Sequence, residues 1–571
     1  MVSTPRQPSG VLSRAPFTSA VPVGRLGRWQ WALLVGLLIC ASFAITLTSG
    51  NPVNAAGFSL LRRFLAAAVT PAASAEMLSL VLSSSLVTIT IAISGSAVSL
   101  MLGAVAGLWC SEAWWQLLGV ERRPGAAWRQ PVVWLRAVLA IPRGVPEIVW
   151  GLFLINVLGL DCWVAVLAIG IPFGAITAKV FSELIDEAPR RAALAYRAAG
   201  SNAMRAFAYG IWPTVCPALV AYGCYRLECA IRSAAVLGLI GASGLGYQIM
   251  LSLDTLRYAE VWSFLYALML LVAGTDWLSS RLTRALQSQS SATPEALRRQ
   301  SRTMLAAVWC GLAATAIAYA VLELDVARLC EPRRLHALRD VLVSSWPPRF
   351  ALHDLPLVLG LATQTVAMSI AAIAIASVFA VAASWVSVPQ LWISSPAFNP
   401  KRWRAWVVGG AGALVRMILV AVRSLSDGIW VLLALFVFYP GPFAGAIALG
   451  VYNFGVMGRL LGQVNEVADS KPYWALRVQG ASMIGAIAYG FLPVVLPQYL
   501  AYALYRWEVC LRATMVVGIV AAGGLGRRLQ DQMVSFDYRG VAATLLGYIL
   551  LTAVVDAISG EARRGLRAPR L

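Results

Sequence analysis

Residues 221–249 read "AYGCYRLECAIRSAAVLGLIGASGLGYQI", and residues 501–529 repeat the pattern as "AYALYRWEVCLRATMVVGIVAAGGLGRRL". When residues 195–246 are aligned without gaps to residues 475–526, 22 of 52 positions are identical. The matches include Tyr, Arg, Glu, Gly and Pro in one register, which a shared apolar composition does not produce. The repeat therefore predicts two duplicated domains in one chain.

The same register extends on both sides of this stretch. It pairs Arg143 with Arg423, Trp150 with Trp430, Gly170 with Gly450, and Tyr258 with Tyr538. No insertion or deletion interrupts it between these positions, so the two copies share one arrangement of segments.

The composition is that of an integral membrane protein. Of the 571 residues, 59% are hydrophobic and 13% are charged, against about 25% charged in a typical soluble domain. The formal charge of +20 comes mainly from Arg between the apolar runs, as the positive-inside rule describes. This pattern argues against a nucleic-acid partner. The scattered Cys and the two His suggest neither a metal site nor a catalytic one.

We predict an all-α membrane protein of about 12 transmembrane helices. Runs of about 20 apolar residues are long enough to cross a bilayer. The predicted spans are 29–48, 78–109, 133–159, 162–181, 213–235, 258–279, 304–322, 355–387, 405–421, 425–452, 490–515 and 541–558.

The predicted domains follow from these spans. Residues 1–28 form a disordered cytoplasmic N-terminus, 29–279 a first membrane domain, 280–303 a polar cytoplasmic linker, 304–559 a second membrane domain and 560–571 a basic cytoplasmic tail. Six spans per copy make the repeats parallel, related by an axis along the membrane normal. Both termini are then expected inside.

A small-residue, basic stretch also occurs twice, as "ALAYRAAGSNAMRAFAYGIWP" (193–213) and "YWALRVQGASMIGAIAYGFLP" (473–493). Ala favours helix, a central Gly interrupts it, and a Pro opens the next span. The charge pattern places both stretches on the cytoplasmic side, where they are either plain connecting loops or docking surfaces. The residues proposed to shape and anchor them are Arg197, Gly200, Pro213, Arg477, Gly480 and Pro493.

These stretches resemble the EAA loops of ABC importer permeases, in which a Gly is followed by a Pro thirteen residues later. The segments after them are similar to the YRFE…RSATVLGLVGAGGIG region of the phosphonate/phosphite importer permeases. The segment "IPRGVPEIVWGLF" (141–153) is similar to that family's IPELVWAL segment. The resemblance implies a type I permease fold, a dimer of ATPase subunits seated on both loops, and an extracytoplasmic binding protein. The family's first Glu is Leu194 in one copy and Trp474 in the other, which removes one expected ATPase contact.

Charged residues inside a predicted span form the second repeated feature. They are Tyr225, Arg226, Glu228 and Arg232, and their repeats Tyr505, Arg506, Glu508 and Arg512. Ionised side chains in a membrane usually face the bundle interior and have partners. Each Glu can pair with the Arg four residues later. Either these pairs fix the helix packing, or the group lines a translocation path or gate, where the Arg fork suits an oxyanion.

Glycine-rich turns at 238–246 and 518–526 are the third repeated feature. No P-loop or dinucleotide-binding fingerprint accompanies them. We expect re-entrant turns at the outer mouth; an anion-binding nest is the weaker alternative. Glu147 and Asp427 are lesser candidates, because an acid in such a position lies more often at the membrane edge than in a functional site.

The predicted function is the membrane-spanning permease of an ATP-driven importer in a prokaryotic cytoplasmic membrane. It would not be an enzyme and would need no cofactor, since ATP hydrolysis would occur on a separate subunit. The resemblance implies phosphonate, phosphite or a related anion as the solute. The alternatives are an ABC permease for another small solute, and a secondary transporter or channel driven by an ion gradient. A membrane-embedded enzyme has little support, because neither a His cluster nor a paired nucleophile is present.

Overall fold

The computed structural model describes residues 28–47, 53–119, 129–241, 243–287, 294–349, 352–388 and 402–567. Within these ranges the chain is helical, apart from turns and one isolated β-bridge between Val53 and Phe438. The prediction of an all-α protein is confirmed. The predicted disordered N-terminus lies outside the described residues, except for Arg28. The predicted basic tail is described as far as Arg567.

The first half of the chain contains twelve of the described helices. They are α1 (Arg28–Leu47), α2 (Gly57–Ala67), α3 (Ala75–Cys110), α4 (Glu112–Leu117), α5 (Arg129–Gly144), α6 (Glu147–Leu158), α7 (Cys162–Glu187), α8 (Arg191–Ala198), α9 (Ala203–Gly210), α10 (Trp212–Gly238), α11 (Leu245–Asp254) and α12 (Tyr258–Gln287).

The second half repeats this order. Its described helices are α13 (Pro294–Val321), α14 (Val326–Leu329), α15 (Pro332–Ser344), α16 (Leu355–Val386), α17 (Arg402–Ser424), α18 (Asp427–Ala434), α19 (Pro442–Val467), α20 (Lys471–Val478), α21 (Met483–Ala486), α22 (Leu492–Val517), α23 (Gly524–Val534) and α24 (Tyr538–Arg567). A 3-10 turn, Leu352–Asp354, precedes α16, and π-helical turns occupy Ile487–Phe491 and Gly518–Ala522. Helices α16, α19, α20, α22 and α24 each begin at the position that the repeat register pairs with the start of α3, α7, α8, α10 and α12.

Nine of the described helices are long and apolar enough to cross a membrane, or up to eleven if each of two bent pairs is one span. The pair α5–α6 is bent by 84° and the pair α9–α10 by 67°. An apolar segment at the end of α1, Gly36–Leu47, is shorter. Large apolar side chains such as those of Leu82, Leu270 and Trp309 are exposed on the outer surface, as lipid contact requires.

The predicted span at 425–452 is wrong. Helix α18 ends at Ala434, and the next membrane-spanning helix, α19, begins only at Pro442. Pro440, Gly441 and Pro442 interrupt the apolar run, because Pro lacks the backbone donor that a helix interior needs. The corresponding break in the first half lies between Leu158 and Cys162, where the prediction agrees with the structure.

Small residues let α3 and α7 of the first half pack closely. Gly95, Ser99, Gly103 and Gly107 lie on α3 at intervals of four residues. A β-carbon at Gly103 would lie 2.4 Å from the Thr177 side chain of α7, and Ser99 and Thr177 share a 3.2 Å hydrogen bond. Such small-residue faces are typical of helix pairs in membranes.

The two halves exchange their first helices. Helix α1 packs against α16 and α19 of the second half, whereas α13 packs against α3 of the first. Polar contacts accompany the exchange after α13, where Arg334 pairs with Asp161 at 2.9 Å and the Trp163 indole donates to the Asp325 carbonyl. Each half therefore covers part of the other.

Helices α10 and α22 run parallel across the interface between the halves. A β-carbon at Gly428 would lie 3.8 Å from Val236 near the end of α10 and 4.0 Å from Val516 near the end of α22. Nearer the starts of these helices, Tyr222 of α10 interacts with Tyr505 of α22. Because the two helices approach each other at both levels in the same order, the loops that precede them lie at the same end of the bundle. We call it the α8 end.

The glycine-rich turns fold a short helix back against the preceding span. A β-carbon at Gly246 would lie 1.9 Å from the Ala235 carbonyl oxygen, and Gly518 and Gly526 make a similar backbone approach in the second half. The Leu245 and Leu525 amides donate to the hydroxyls of Thr88 and Thr365, which caps both returning helices. The turns are tight, as predicted, and their place at the outer mouth stays a prediction.

Substitution of Gly246 by Ala tests this close approach. We expect Gly246→Ala to lower the unfolding temperature markedly, because overpacking of a close contact costs about 1–3 kcal/mol. Gly274→Ala is the control, since Gly274 lies within α12 with open space around it and Ala favours helix over Gly. Equal thermal stability of the two purified variants in detergent would contradict the packing described.

Candidate functional site

The two repeated loops at the α8 end have the same backbone geometry. Gly200 and Gly480 follow their helices with φ of 86° and 88°, a conformation that favours glycine. Behind each Gly, the amide of Ser201 or Ala481 donates to the carbonyl five residues earlier, as in a Schellman cap. Arg197 and Arg477 donate to the carbonyls of Ser201 and Ala481 at 2.7 and 2.9 Å. The predicted Arg and Gly of each loop thus hold one turn together.

A second glycine in each loop lets its two helical segments cross. A β-carbon at Gly210 would lie 2.5 Å from the Ala193 α-carbon, and one at Gly490 would lie 3.0 Å from the Tyr473 α-carbon. Pro213 and Pro493 lie in the first turns of α10 and α22, where Pro is tolerated. Sequence reasoning missed Gly210 and Gly490, although both belong to the "AYG" tripeptide that the loops share.

Large side chains of the loops project outward. Tyr209 is 69% exposed and its counterpart Tyr489 is 82% exposed. Leu194 is also exposed, whereas Trp474 packs partly against the second-half core. The two residues that replace the family's Glu are therefore placed differently, and the first loop shows the more apolar surface.

Both predicted ion pairs form within α10 and α22, which we call the central helices. The Glu228 and Arg232 side chains are 3.1 Å apart on α10, and those of Glu508 and Arg512 are 2.8 Å apart on α22. All four residues are at least half-buried. The pairs therefore satisfy charges that would be costly if left alone among apolar helices.

An arginine from the second half joins the first of these pairs. Arg423, at the end of α17, lies 3.3 Å from Glu228 and 2.8 Å from Asp276 of α12. Arg459 of α19 also reaches Asp276, at 3.0 Å. These side chains form the Arg423 cluster, in which two carboxylates of one half bind two arginines of the other.

The equivalent positions on the other side of the interface are arranged differently. Glu508 and Asp556 are bound by Arg512 and Arg563, which belong to the same half. Arg143, the counterpart of Arg423, interacts with them electrostatically but makes no hydrogen bond to another described residue. Apart from the Arg334–Asp161 pair, the ion pairs that join the halves among the described residues are therefore concentrated on one side.

Sequence reasoning missed this cluster, although its signal was present. Arg423 was matched with Arg143, and the same register pairs Asp276 with another Asp, Asp556. An acid and a base that both recur inside apolar helices point to a pair, but the sequence does not show that the partners lie in opposite halves.

The remaining predicted residues lie one turn nearer the α8 end. Tyr225 and Tyr505 are exposed, whereas the neighbouring Arg226 and Arg506 are buried. The Arg506 guanidinium donates to the Asn453 amide oxygen, and the Arg226 guanidinium stacks on the Phe173 ring. The two copies thus place Arg at the same position with different partners.

Glu147 and Asp427 begin α6 and α18, directly after the breaks that follow α5 and α17. Ser233 of α10 donates to Glu147 at 2.6 Å. The neighbours of Glu147, Val145 and Ile148, pack against the second half. These acids therefore face the packed interior of the bundle and not its edge. Within the described residues no group of His, Cys, Asp or Glu is arranged to hold a metal ion.

Comparison with known proteins places this arrangement in a family. A family model described as "Binding-protein-dependent transport system inner membrane component" matches residues 129–289. The phosphite transport system permease protein PtxC of Stutzerimonas stutzeri is 34% identical over 201 residues, which cover 35% of this chain and 68% of PtxC. The chain belongs to this family of inner-membrane permeases. The phosphate-import permease protein PhnE of Mycolicibacterium smegmatis is 25% identical to this permease over 432 residues. The alignment covers 76% of this permease and 77% of PhnE.

A chain of the inward-facing MetNI methionine ABC transporter is 21% identical to the permease, with a TM-score of 0.33. The alignment covers 37% of the permease and 99% of the MetNI chain. The match to the family model and to PhnE makes the permease a multi-pass inner-membrane subunit of a non-enzymatic family.

Replacement of Arg423 tests the asymmetry of the interface. We expect Arg423→Gln to destabilise the purified permease by about 3 kcal/mol, because removal of one partner from a buried ion pair is strongly unfavourable. Arg143→Gln is the matched control at the equivalent position, and it should cost less than half as much. Thermal unfolding in detergent measures both, and equal losses would refute the one-sided arrangement.

Proposed function

We propose that the chain supplies both permease units of an ATP-driven importer for phosphonate, phosphite or a related small anion. The units correspond to residues 29–279 and 304–559, with both termini on the cytoplasmic side. The observation that carries this proposal is the pair of loops with one turn geometry at one end of two parallel helices. Two equivalent platforms fit a dimeric ATPase, whose two subunits would each contact one loop.

In this proposal the loops transmit the ATPase movement to α10 and α22. The first loop is joined to α10 through a 67° bend, and the second continues into α22 through the π-helical turn Ile487–Phe491. The cap around Gly200 or Gly480 together with the crossing at Gly210 or Gly490 makes each loop compact. A push on such a unit moves the central helix as a body. Tyr225, Arg226, Glu228, Arg232 and their repeats would then line the path or gate between inward- and outward-facing states.

The anion is supported by chemistry and by the relatives. The helices at the interface carry several buried arginines, whose guanidinium forks suit oxyanions. The relatives are described as permeases for phosphite and phosphate import. A separate binding protein would deliver the solute at the end opposite α8.

Charge placed on the exposed loop tyrosines tests the coupling role. We expect Tyr209→Asp and Tyr489→Asp each to reduce co-purification of the ATPase encoded with the permease at least tenfold, because an unpaired carboxylate enters an apolar contact. Val534→Asp is the matched control, since Val534 is 72% exposed on α23, after the opposite ends of the central helices. Loss of ATPase binding in the control alone would overturn the assignment of the loops.

Transport by the assembled complex tests the function itself. Proteoliposomes that contain the permease, its ATPase and its binding protein should accumulate labelled phosphite or methylphosphonate only when ATP is supplied. Uptake that persists without the ATPase would identify an ion-driven carrier. ATP-dependent uptake of another solute alone would leave the importer in place and change its substrate.

A further inference from the structure

Arg226 and Arg506 occupy equivalent positions on α10 and α22 and are 5% and 8% exposed. In the second half the Nε and Nη2 atoms of Arg506 lie 3.0 and 2.5 Å from the Asn453 amide oxygen. One acceptor therefore bridges the side-on edge of the guanidinium, and this arginine is satisfied within the protein.

The same edge of Arg226 has no hydrogen-bond partner among the described residues and is closed to solvent. Phe173 stands where the second half has Asn453, and its ring centroid lies 3.8 Å from the Arg226 guanidinium carbon. The ring covers one face of the guanidinium but offers no hydrogen-bond acceptor to its edge. Nε and Nη2 of Arg226 correspond to the two Arg506 atoms that hold Asn453, but they have no hydrogen-bond partner among the described residues.

The nearby carboxylates do not compensate for this charge. Glu228 lies two residues along α10 and is engaged by Arg232 and Arg423. Asp427 interacts electrostatically with Arg506, and both of these residues belong to the second half. Arginine does not lose its proton in proteins, so Arg226 remains a buried cation. Tyr222 is hydrogen-bonded to it, but its Nε and Nη2 donors have no partner among the described residues.

We propose that Arg226, unlike the equivalent Arg506, is a subsite for a small tetrahedral oxyanion such as phosphite or a phosphonate. This assignment rests on the proposed import function. Two oxygens of the anion accept from Nε and Nη2 in the bidentate geometry that guanidinium forks favour. Phe173 forms the apolar wall of the subsite. Arg506 takes no part in it, because Asn453 already occupies the corresponding edge.

The position of the subsite fits a path between the halves. Tyr222, one turn before Arg226, has its ring 5.9 Å from the Arg226 guanidinium carbon and also interacts with Tyr505 of the second half. Tyr225, the residue before Arg226, is exposed. Both edge atoms of the guanidinium are closed to solvent in this conformation, so the anion would reach them only when the halves move apart.

Direct binding to the permease alone tests the subsite. The permease in nanodiscs, without ATPase or binding protein, should bind radiolabelled phosphite saturably, and methylphosphonate should displace it better than chloride at equal ionic strength. Arg226→Lys keeps the charge but loses the fork, and it should weaken binding at least tenfold. Arg281→Lys is the matched control, an exposed arginine stacked on Trp277, and it should bind as the unaltered permease does.

Phe173→Asn is the sharper variant, because it gives Arg226 the partner that Arg506 already has. It should weaken phosphite binding at least tenfold while it raises thermal stability, a combination that misfolding does not produce. Phe173→Leu removes the ring without adding an acceptor and should weaken binding less than Phe173→Asn does.

Several results would overturn the proposal. They are the absence of saturable phosphite binding to the unaltered permease, unchanged binding in Arg226→Lys and Phe173→Asn, and a loss in Arg506→Lys as large as that in Arg226→Lys. Failure of the proposed function would appear elsewhere, as an unaltered complex that imports neither phosphite nor methylphosphonate with ATP. The two failures are separate, since the binding measurement uses neither ATP nor partner subunits.

Discussion

Arg423 reaches from the second half of the chain into the first, and Glu228 and Asp276 hold it there. A charge among membrane-spanning helices needs a partner, so this contact fixes how α17 sits against α10 and α12. The opposite side of the interface has carboxylates of its own, but arginines of the same half bind them. Among the described residues, an opening on the Arg423 side breaks three ion pairs between the halves. On the Arg143 side, Glu508 and Asp556 make no ion pair across the interface with another described residue.

Much of this architecture could be predicted from the sequence, because the duplication constrains it. The single ungapped register implied equivalent helices, and several pairs begin at the expected positions. The pairing of Glu228 with Arg232 and of Glu508 with Arg512 followed from helical spacing. The loops around Gly200 and Gly480 were found in the same way, and the structure adds the turn geometry that their glycines permit.

Other features could not be predicted, for physical reasons. Apolar runs report how much surface meets lipid or core, but not which helix lies alongside, so the exchange of α1 and α13 left no trace in hydropathy. The span at 425–452 failed because the whole run is apolar enough to cross a membrane, while Pro440–Pro442 divides it. The Arg423 cluster needed knowledge of the interface, since its partners are separated by 147 and 195 residues in the chain.

The two halves share one arrangement of helices but differ in the residues at equivalent positions. Asn453 is replaced by Phe173, Arg459 by Lys179, and the charged face of α23 by the apolar residues of α11. In a symmetric pair of identical subunits every such change would occur twice. A single chain that contains both units allows one side to carry the contacts that hold the interface and the other to specialise.

The exchanged first helices also govern how the protein is made. Helix α1 leaves the insertion machinery early, yet α16, against which it packs, begins only at Leu355, in the second half of the chain. At a synthesis rate of about 5–20 residues per second, α1 waits in the bilayer for some tens of seconds without its partner. The first unit is likewise incomplete until α13 has been inserted. Maturation is therefore a property of the whole chain, and a ribosome that stops after α12 releases a bundle with one helix unpaired and one surface uncovered.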